Sequence, residues 1–211
     1  SGGNETGTAR SNRDRLYIND GKGRFTKSVQ LPDINGNKSV AVAADFDRDG
    51  DMDLFIGGRV VSGRYGEIPR SYLLLNDSKG IFSIATEAMA PGLQSAGMIT
   101  DAAWTDLDKD GWPDLVLAGD WMPVTVFKNE KGKFVNATAS YSLEHTTGLW
   151  TALHIADLNN DGFDDILAGN RGTNSKLHAS ETYPLRLYVG DLDNNGSLDQ
   201  LLTLETNGEY Y

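Results

Sequence analysis

One nine-residue pattern recurs four times along the chain: DFDRDGDMD at 45–53, DLDKDGWPD at 106–114, DLNNDGFDD at 157–165 and DLDNNGSLD at 191–199. Its starts lie 61, 51 and 34 residues apart, an array-like spacing for the first three copies that points to a repeat architecture. Each of those three follows a small-to-apolar stretch, at 40–44, 100–104 and 152–156. Each precedes a short apolar run ending in glycine: Leu54-Phe55-Ile56-Gly57-Gly58, Leu115-Val116-Leu117-Ala118-Gly119 and Ile166-Leu167-Ala168-Gly169. Runs this short, bounded by Asp, Asn and Gly, predict buried strands. No window sustains a helical period.

A second unit alternates with the first. Residues 16–25 (LYINDGKGRF), 73–82 (LLLNDSKGIF) and 124–134 (VTVFKNEKGKF) each read as strand, glycine-containing turn, strand, which is a β-hairpin. The chain order is therefore strand A, Asp loop, strand B, longer loop, strand C, glycine turn, strand D. Four-stranded units of this kind stack radially to bury their faces. The sequence thus predicts an all-β fold: a β-propeller of four-stranded antiparallel blades spanning 14–211. The boundaries are a partial blade at 14–30 and blades at 38–87, 98–139 and 148–205. The last Asp loop is expected to replace the glycine turn between strands C and D of the final blade. Residues 1–13 read as a disordered or tag-derived N-terminus. That makes roughly three and a half blades, a partial propeller whose closure calls for the rest of a longer chain or a second copy.

The chemistry of the loops follows from their spacing. Calcium takes about six to eight oxygens in flexible geometry. Short carboxylate and amide side chains at alternate positions curl around one point, and glycine at position 6 permits the tight turn. The predicted ligands are Asp45, Asp47, Asp49, Asp51 and Asp53; Asp106, Asp108, Asp110, Trp112 and Asp114; Asp157, Asn159, Asp161, Phe163 and Asp165; and Asp191, Asp193, Asn195, Ser197 and Asp199. Position 7 contributes its carbonyl. Position 9 opens strand B and ties the ion to the sheet. An EF-hand is excluded, because it needs a glutamate at position 12, where this chain has Ile56, Leu117, Ala168 and Leu202. Magnesium fits less well, since it prefers stricter octahedral geometry. Metal-free turns also favour Asp, Asn and Gly, but four copies in matching context argue against that reading. By carboxylate count, the loops at 45–53 and 106–114 are expected to bind more tightly than the other two.

Charge agrees. The formal charge is −11 and the pI about 4.6, and 14 of the 30 acidic residues occupy positions 1, 3, 5 and 9 of the loops. Four divalent ions, eight positive charges, would bring −11 to −3. So acidic a chain is a poor nucleic-acid partner. No stretch is apolar enough to span a membrane, and the absence of cysteine excludes disulfides, thiol nucleophiles and thiolate zinc sites.

These loops and hairpins resemble the FG-GAP or VCBS-type repeats of integrin α-subunit propellers and many bacterial surface proteins. Residues 57–65 (GGRVVSGRY) and 70–77 (RSYLLLND) are similar to bacterial proteins related to cartilage acidic protein. The resemblance spans Leu16 to about Leu204. It implies a propeller, commonly seven-bladed, an extracellular or cell-surface (for a bacterium, surface or periplasmic) location, and binding or adhesion. The chain departs from integrins in lacking the FG dipeptide before strand A and in ending strand B with Gly-Gly or Ala-Gly. Integrin-style ligand recognition is therefore not carried over.

Longer connections at 59–71, 87–97, 138–148 and 171–184 are expected at the end opposite the Asp loops, where a rigid scaffold presents ligand-binding groups. They offer Arg59, Arg64, Tyr65, Arg70, Arg171, Asn174, His178 and Tyr183 for a glycan or protein. No G-x-S-x-G, P-loop, GxGxxG or H-E-x-x-H motif is present. The expectation is an exported, calcium-stabilised binding or adhesion module without catalysis. The alternatives are the propeller of a calcium-dependent polysaccharide lyase or glycoside hydrolase, and a structural spacer.

Overall fold

The computed structural model describes residues 13–172, 179–180, 182–206 and 209–210. Over these the chain is all-β, built of antiparallel sheets that do not close into a ring. The segment 1–12 and the candidates Asn174 and His178 lie outside the described residues.

Strands β1 (Tyr17–Asn19) and β2 (Phe25–Lys27) form the first hairpin. A four-stranded sheet follows in chain order: β3 (Asn37–Ala44), β4 (Asp53–Val60), β5 (Tyr72–Asn76) and β6 (Phe82–Ile84). The same order repeats in β7 (Met98–Thr105), β8 (Asp114–Met122), β9 (Thr125–Asn129) and β10 (Phe134–Asn136). Next come β11 (Gly148–Ala156) and β12 (Asp165–Asn170), with β11 joined to the far end of β8. Two further pairs are β13 (Arg186–Gly190) with β14 (Asp199–Thr203), and β15 (Glu205–Thr206) with β16 (Glu209–Tyr210).

Strand β8 shows why its sequence is apolar throughout. Leu115 and Leu117 enter a core shared with the first sheet, beside Phe46, Phe55, Leu73, Ile99 and Phe127. Val116 faces the other way, toward Val124, Val126, Trp150, Leu153 and Ile155. Alternate residues of one strand thus fill two cores, and a strand buried on both faces loses the polar alternation of a surface strand. Phe46 stacks on Trp104 at 5.5 Å between ring centroids and meets Phe134 edge-on at 5.6 Å. Side-chain hydroxyls tie neighbouring first strands together: Ser39 donates to the Ile99 carbonyl at 2.6 Å and Thr100 to that of Trp150 at 2.8 Å.

Two expectations meet differences. The connection at 87–97 contains a short helix, α1 (Thr86–Met89), and a tight helical turn at Pro91–Ser95. Ala90 and Leu93 are fully buried there, so this segment is core packing more than an open loop. A single turn is too short to leave a helical period in the sequence. In the region 148–205, β12 and β13 share no ladder among the described residues. The β13–β14 loop has the length and register of the other Asp loops, with Gly190 opposite Asp199 as Ala44 is opposite Asp53. The glycine-turn hairpins are shorter: Asn76 sits opposite Phe82 and Asn129 opposite Phe134. By this geometry the β13–β14 loop is a fourth Asp loop, as long as the other three and in the place where the sequence predicts one.

Candidate metal centre

All four Asp loops have one architecture. The first strand ends immediately before position 1, and position 9 opens the second: Asp53, Asp114, Asp165 and Asp199 begin β4, β8, β12 and β14. Position 6 is glycine at positive φ, from 84° to 99°. Position 4 is also left-handed, at Arg48, Lys109, Asn160 and Asn194, with φ between 60° and 63°. Only the two asparagines are residue types that favour this region.

Backbone amides hold the carboxylates inward. Gly111, Gly162 and Gly196 each donate to the position-1 aspartate at 2.8–2.9 Å, and Gly50 donates to Asp45 at 3.2 Å. Position 5 accepts from position 7 in every copy: Asp51 to Asp49, Trp112 to Asp110, Phe163 to Asp161 and Ser197 to Asn195. Position 9 accepts from position 2, as Leu107 to Asp114, Leu158 to Asp165 and Leu192 to Asp199. The amides are partial positive charges, and the Gly162 amide leads those holding Asp157 below the ordinary aspartate value.

Carboxylate oxygens converge within 4.8 Å of one another in three loops: Asp45, Asp47 and Asp53; Asp106, Asp108 and Asp114; and Asp191, Asp193 and Asp199. In the third loop Asn159 takes the place of the second carboxylate, and its amide donates to Asp161 at 3.0 Å. Positions 1, 3 and 9 therefore form the cluster. Position 5 is turned to the loop's own amides.

The first loop is the most exposed electrostatically. Asp53 is fully buried, and its Oδ2 has no hydrogen-bond partner; neither do the buried Oδ1 atoms of Asp45 and Asp51. Burial pushes Asp53 up to about 6, with the Asp47 and Asp51 carboxylates adding to the rise and the Asn76 and Phe46 amides opposing it. Asp47 is raised in the same way, by burial first and by the neighbouring aspartates. Unpartnered buried carboxylate oxygens are costly. A divalent cation at their centre would satisfy them. The residues fit that group.

The second loop differs. Asp114 is fully buried and raised by burial, but both its oxygens are bonded, one to the Asn129 amide at 2.8 Å and one to that of Leu107. Lys128 Nζ contacts Asp108 directly and lies 3.5 Å from Asp110. Sequence reasoning missed this lysine, because it comes from β9 and reaches the loop only through strand register.

The hairpin asparagines were also missed as part of the site. Asn76 donates its amide to Asp53 and its side chain to the Met52 carbonyl; Asn129 does the same for Asp114 and Pro113. Ser78 donates to Asp51 at 2.8 Å. The Asp loops and glycine turns of these sheets thus share one end.

At the other end, three of the predicted ligand residues meet. Arg59 pairs with Asp120 at 2.6 Å, Tyr65 donates to the same carboxylate at 3.2 Å, and Trp121 donates to the Tyr65 hydroxyl at 2.9 Å. Trp121 has φ of 61°, a strained conformation for a bulky residue. Arg59, Arg64, Tyr65 and Gln200 line a cavity of about 390 Å³. Arg64 pairs with Glu67. Arg70, Arg171 and Tyr183 are exposed and do not line it.

Residues 6–56 and 106–168 match the profile of the FG-GAP-like repeat, more than half of the chain. The chain belongs to the FG-GAP-like repeat family. The matched regions of this FG-GAP-like protein include its first three Asp loops, at 45–53, 106–114 and 157–165. No match was found among curated proteins. Among solved structures, an Agrocybe aegerita lectin described for recognition of non-reducing terminal N-acetylglucosamine shares 18% identity, with a TM-score of 0.45. The alignment covers 93% of this chain and 59% of the lectin, so the chain spans less than two thirds of that protein. No helix among the described residues is long and apolar enough to cross a membrane.

Proposed function

We propose that this FG-GAP-like chain is a calcium-stabilised binding module that works outside the cell, its sheets forming part of a β-propeller. The observation that carries the calcium reading is the first loop, where Asp45, Asp47 and Asp53 converge around unpartnered oxygens and Asp53 is fully buried. Calcium tolerates the irregular, carboxylate-rich shell these loops offer. The other loops reuse the same frame, with Asn159 and Asp165 completing the third around Asp157. Loops of this type can bind with dissociation constants of about 10⁻⁴–10⁻³ M in extracellular modules, which favours the calcium-rich exterior.

The binding surface of this reading is the opposite end, where Arg59, Arg64, Tyr65 and Gln200 line one cavity. Guanidinium, phenol and amide groups suit a glycan or a protein segment rich in carbonyl and hydroxyl oxygens. The test has two arms. Calorimetric titration with calcium should show binding to wild type that weakens in Asp53→Asn; no heat and no rise in melting temperature with calcium would overturn the calcium reading. A glycan and peptide array probed with the calcium-loaded chain should show a ligand lost on Tyr65→Ala; unchanged binding by that variant would remove the cavity from the proposal.

A further inference from the structure

Superposing the registers of the first two four-stranded sheets places Lys128 where the first sheet has Leu75. Leu54, one residue after position 9, lies opposite Leu74; Leu115, its counterpart, lies opposite Phe127. The next residues are therefore Leu75 and Lys128, followed by the equivalent Asn76 and Asn129. This difference on the neighbouring strand adds to those within the two loops, at positions 2, 4, 7 and 8. With leucine, the loop keeps three buried carboxylate oxygens without partners. In the second loop no oxygen of Asp106, Asp108, Asp110 or Asp114 is left buried and unpartnered among the described residues: backbone amides serve Asp106 and Asp114, and Lys128 serves Asp108 and reaches Asp110. The ammonium sits on Asp108, a member of the converging cluster, and reaches toward Asp110. Its side chain is only 26% exposed, so the stem is packed along the sheet instead of sweeping through solvent.

We propose that Lys128 is a resident cation of the second loop: it neutralises that cluster in place of calcium and makes 106–114 a weak, lysine-gated site beside a strong one at 45–53. The inference rests on the calcium reading of the loops and sharpens it, and it separates two loops that carboxylate count places together above the other two. Calcium entering the second loop must displace the ammonium from Asp108 or share the carboxylate with it. A like charge already in place disfavours a second. In the first loop the entering ion meets only unpaired oxygens and hydrogen-bonded amides.

The amides of Gly50 and Gly111 donate to Asp45 and Asp106 respectively, so their NMR signals report the two loops separately. Titrating calcium chloride into the full chain should move Gly50 first and Gly111 only at a concentration at least about tenfold higher. Lys128→Met, which keeps the aliphatic stem, should bring the Gly111 midpoint down by about tenfold or more and leave that of Gly50 unchanged. In EGTA the same variant should melt below wild type, and calcium should restore it. Lys128→Gln serves as a second variant should the methionine form fail to fold. Coincident Gly50 and Gly111 midpoints in wild type, or a Gly111 midpoint unmoved by both variants, would overturn the proposal. Neither glycine responding in any form would overturn the calcium reading itself.

Discussion

The backbone amide of Asn129 donates to Oδ1 of Asp114 at 2.8 Å, with both residues fully buried. The Asn129 side chain extends the tie, donating to the Pro113 carbonyl at 3.1 Å and to the Phe46 carbonyl at 2.8 Å, while its oxygen accepts from Gly132. Phe46 belongs to the Asp loop of the preceding sheet. One asparagine therefore joins its own hairpin turn, its own Asp loop and the neighbouring loop. Hydrogen bonds from the backbone thus hold the carboxylate cluster in place.

Replacing Asn129 by alanine should destabilise the protein by about 2–4 kcal/mol, because it strips partners from two carbonyls and one amide in a buried setting. Urea unfolding followed by tryptophan fluorescence measures it. Asn76→Ala should cost less, since Asn76 bonds only within its own sheet and is partly exposed. Equal losses for the two variants would contradict the bridging role of Asn129.

Calcium should raise the melting temperature through the first loop. A site with a dissociation constant near 10⁻³ M gains about 1.4 kcal/mol at about 10 mM calcium, which is roughly 3–6 °C for a chain of this size. Asp53→Asn should abolish most of that rise. The measurement is a pair of scanning-calorimetry melts, in calcium and in EGTA, for each protein. A variant that kept the full calcium-dependent rise would move the ion elsewhere.

Much of this frame is legible in the sequence because its determinants are local. The alternating Asp residues, the glycine at position 6 and the strand opened by position 9 all lie within nine residues. The apolar runs after Asp53 and Asp114 announce buried strands for the same reason. What is hidden depends on register or distance. Lys128 meets Asp108 across 20 residues and Arg59 meets Asp120 across 61. The left-handed residues at position 4 carry no signal in Arg48 and Lys109, whose long side chains are at home in many conformations. The absence of a β12–β13 ladder among the described residues is hidden too, since pairing across so long a connection depends on register and not on a local motif.

The glycines that end the first two apolar runs have a steric cause. A Cβ on Gly119 would sit 2.4 Å from the Met98 carbonyl oxygen, and one on Gly57 would lie 2.7 Å from Val40 and 2.8 Å from Ile99. Gly119→Ala should destabilise by about 1–3 kcal/mol, the range of a forced backbone shift in a packed core. Gly169→Ala should be nearly neutral, because its nearest contact would be an ordinary 3.6 Å. Parallel urea denaturation of the two variants makes the comparison. A Gly169→Ala loss as large as that of Gly119→Ala would point to backbone conformation in place of close approach.

Acidity should act in opposite directions with and without calcium. Without the ion, burial raises Asp53 from 3.8 to about 6, so the folded protein binds its proton more tightly than the unfolded chain. The contribution of this group is fully present below about 4 and is lost as pH rises through about 6, a span worth up to about 3 kcal/mol. In EGTA, lowering pH from about 7 toward 5 should therefore raise the melting temperature of wild type relative to Asp53→Asn, which cannot titrate there. In calcium the sign reverses, since protons compete with the ion for the same oxygens and acidification releases it. Melts of both proteins across this pH window, in each buffer, read the two slopes. Identical slopes for wild type and Asp53→Asn in EGTA would show that Asp53 is not the group that carries the strain of the empty cluster.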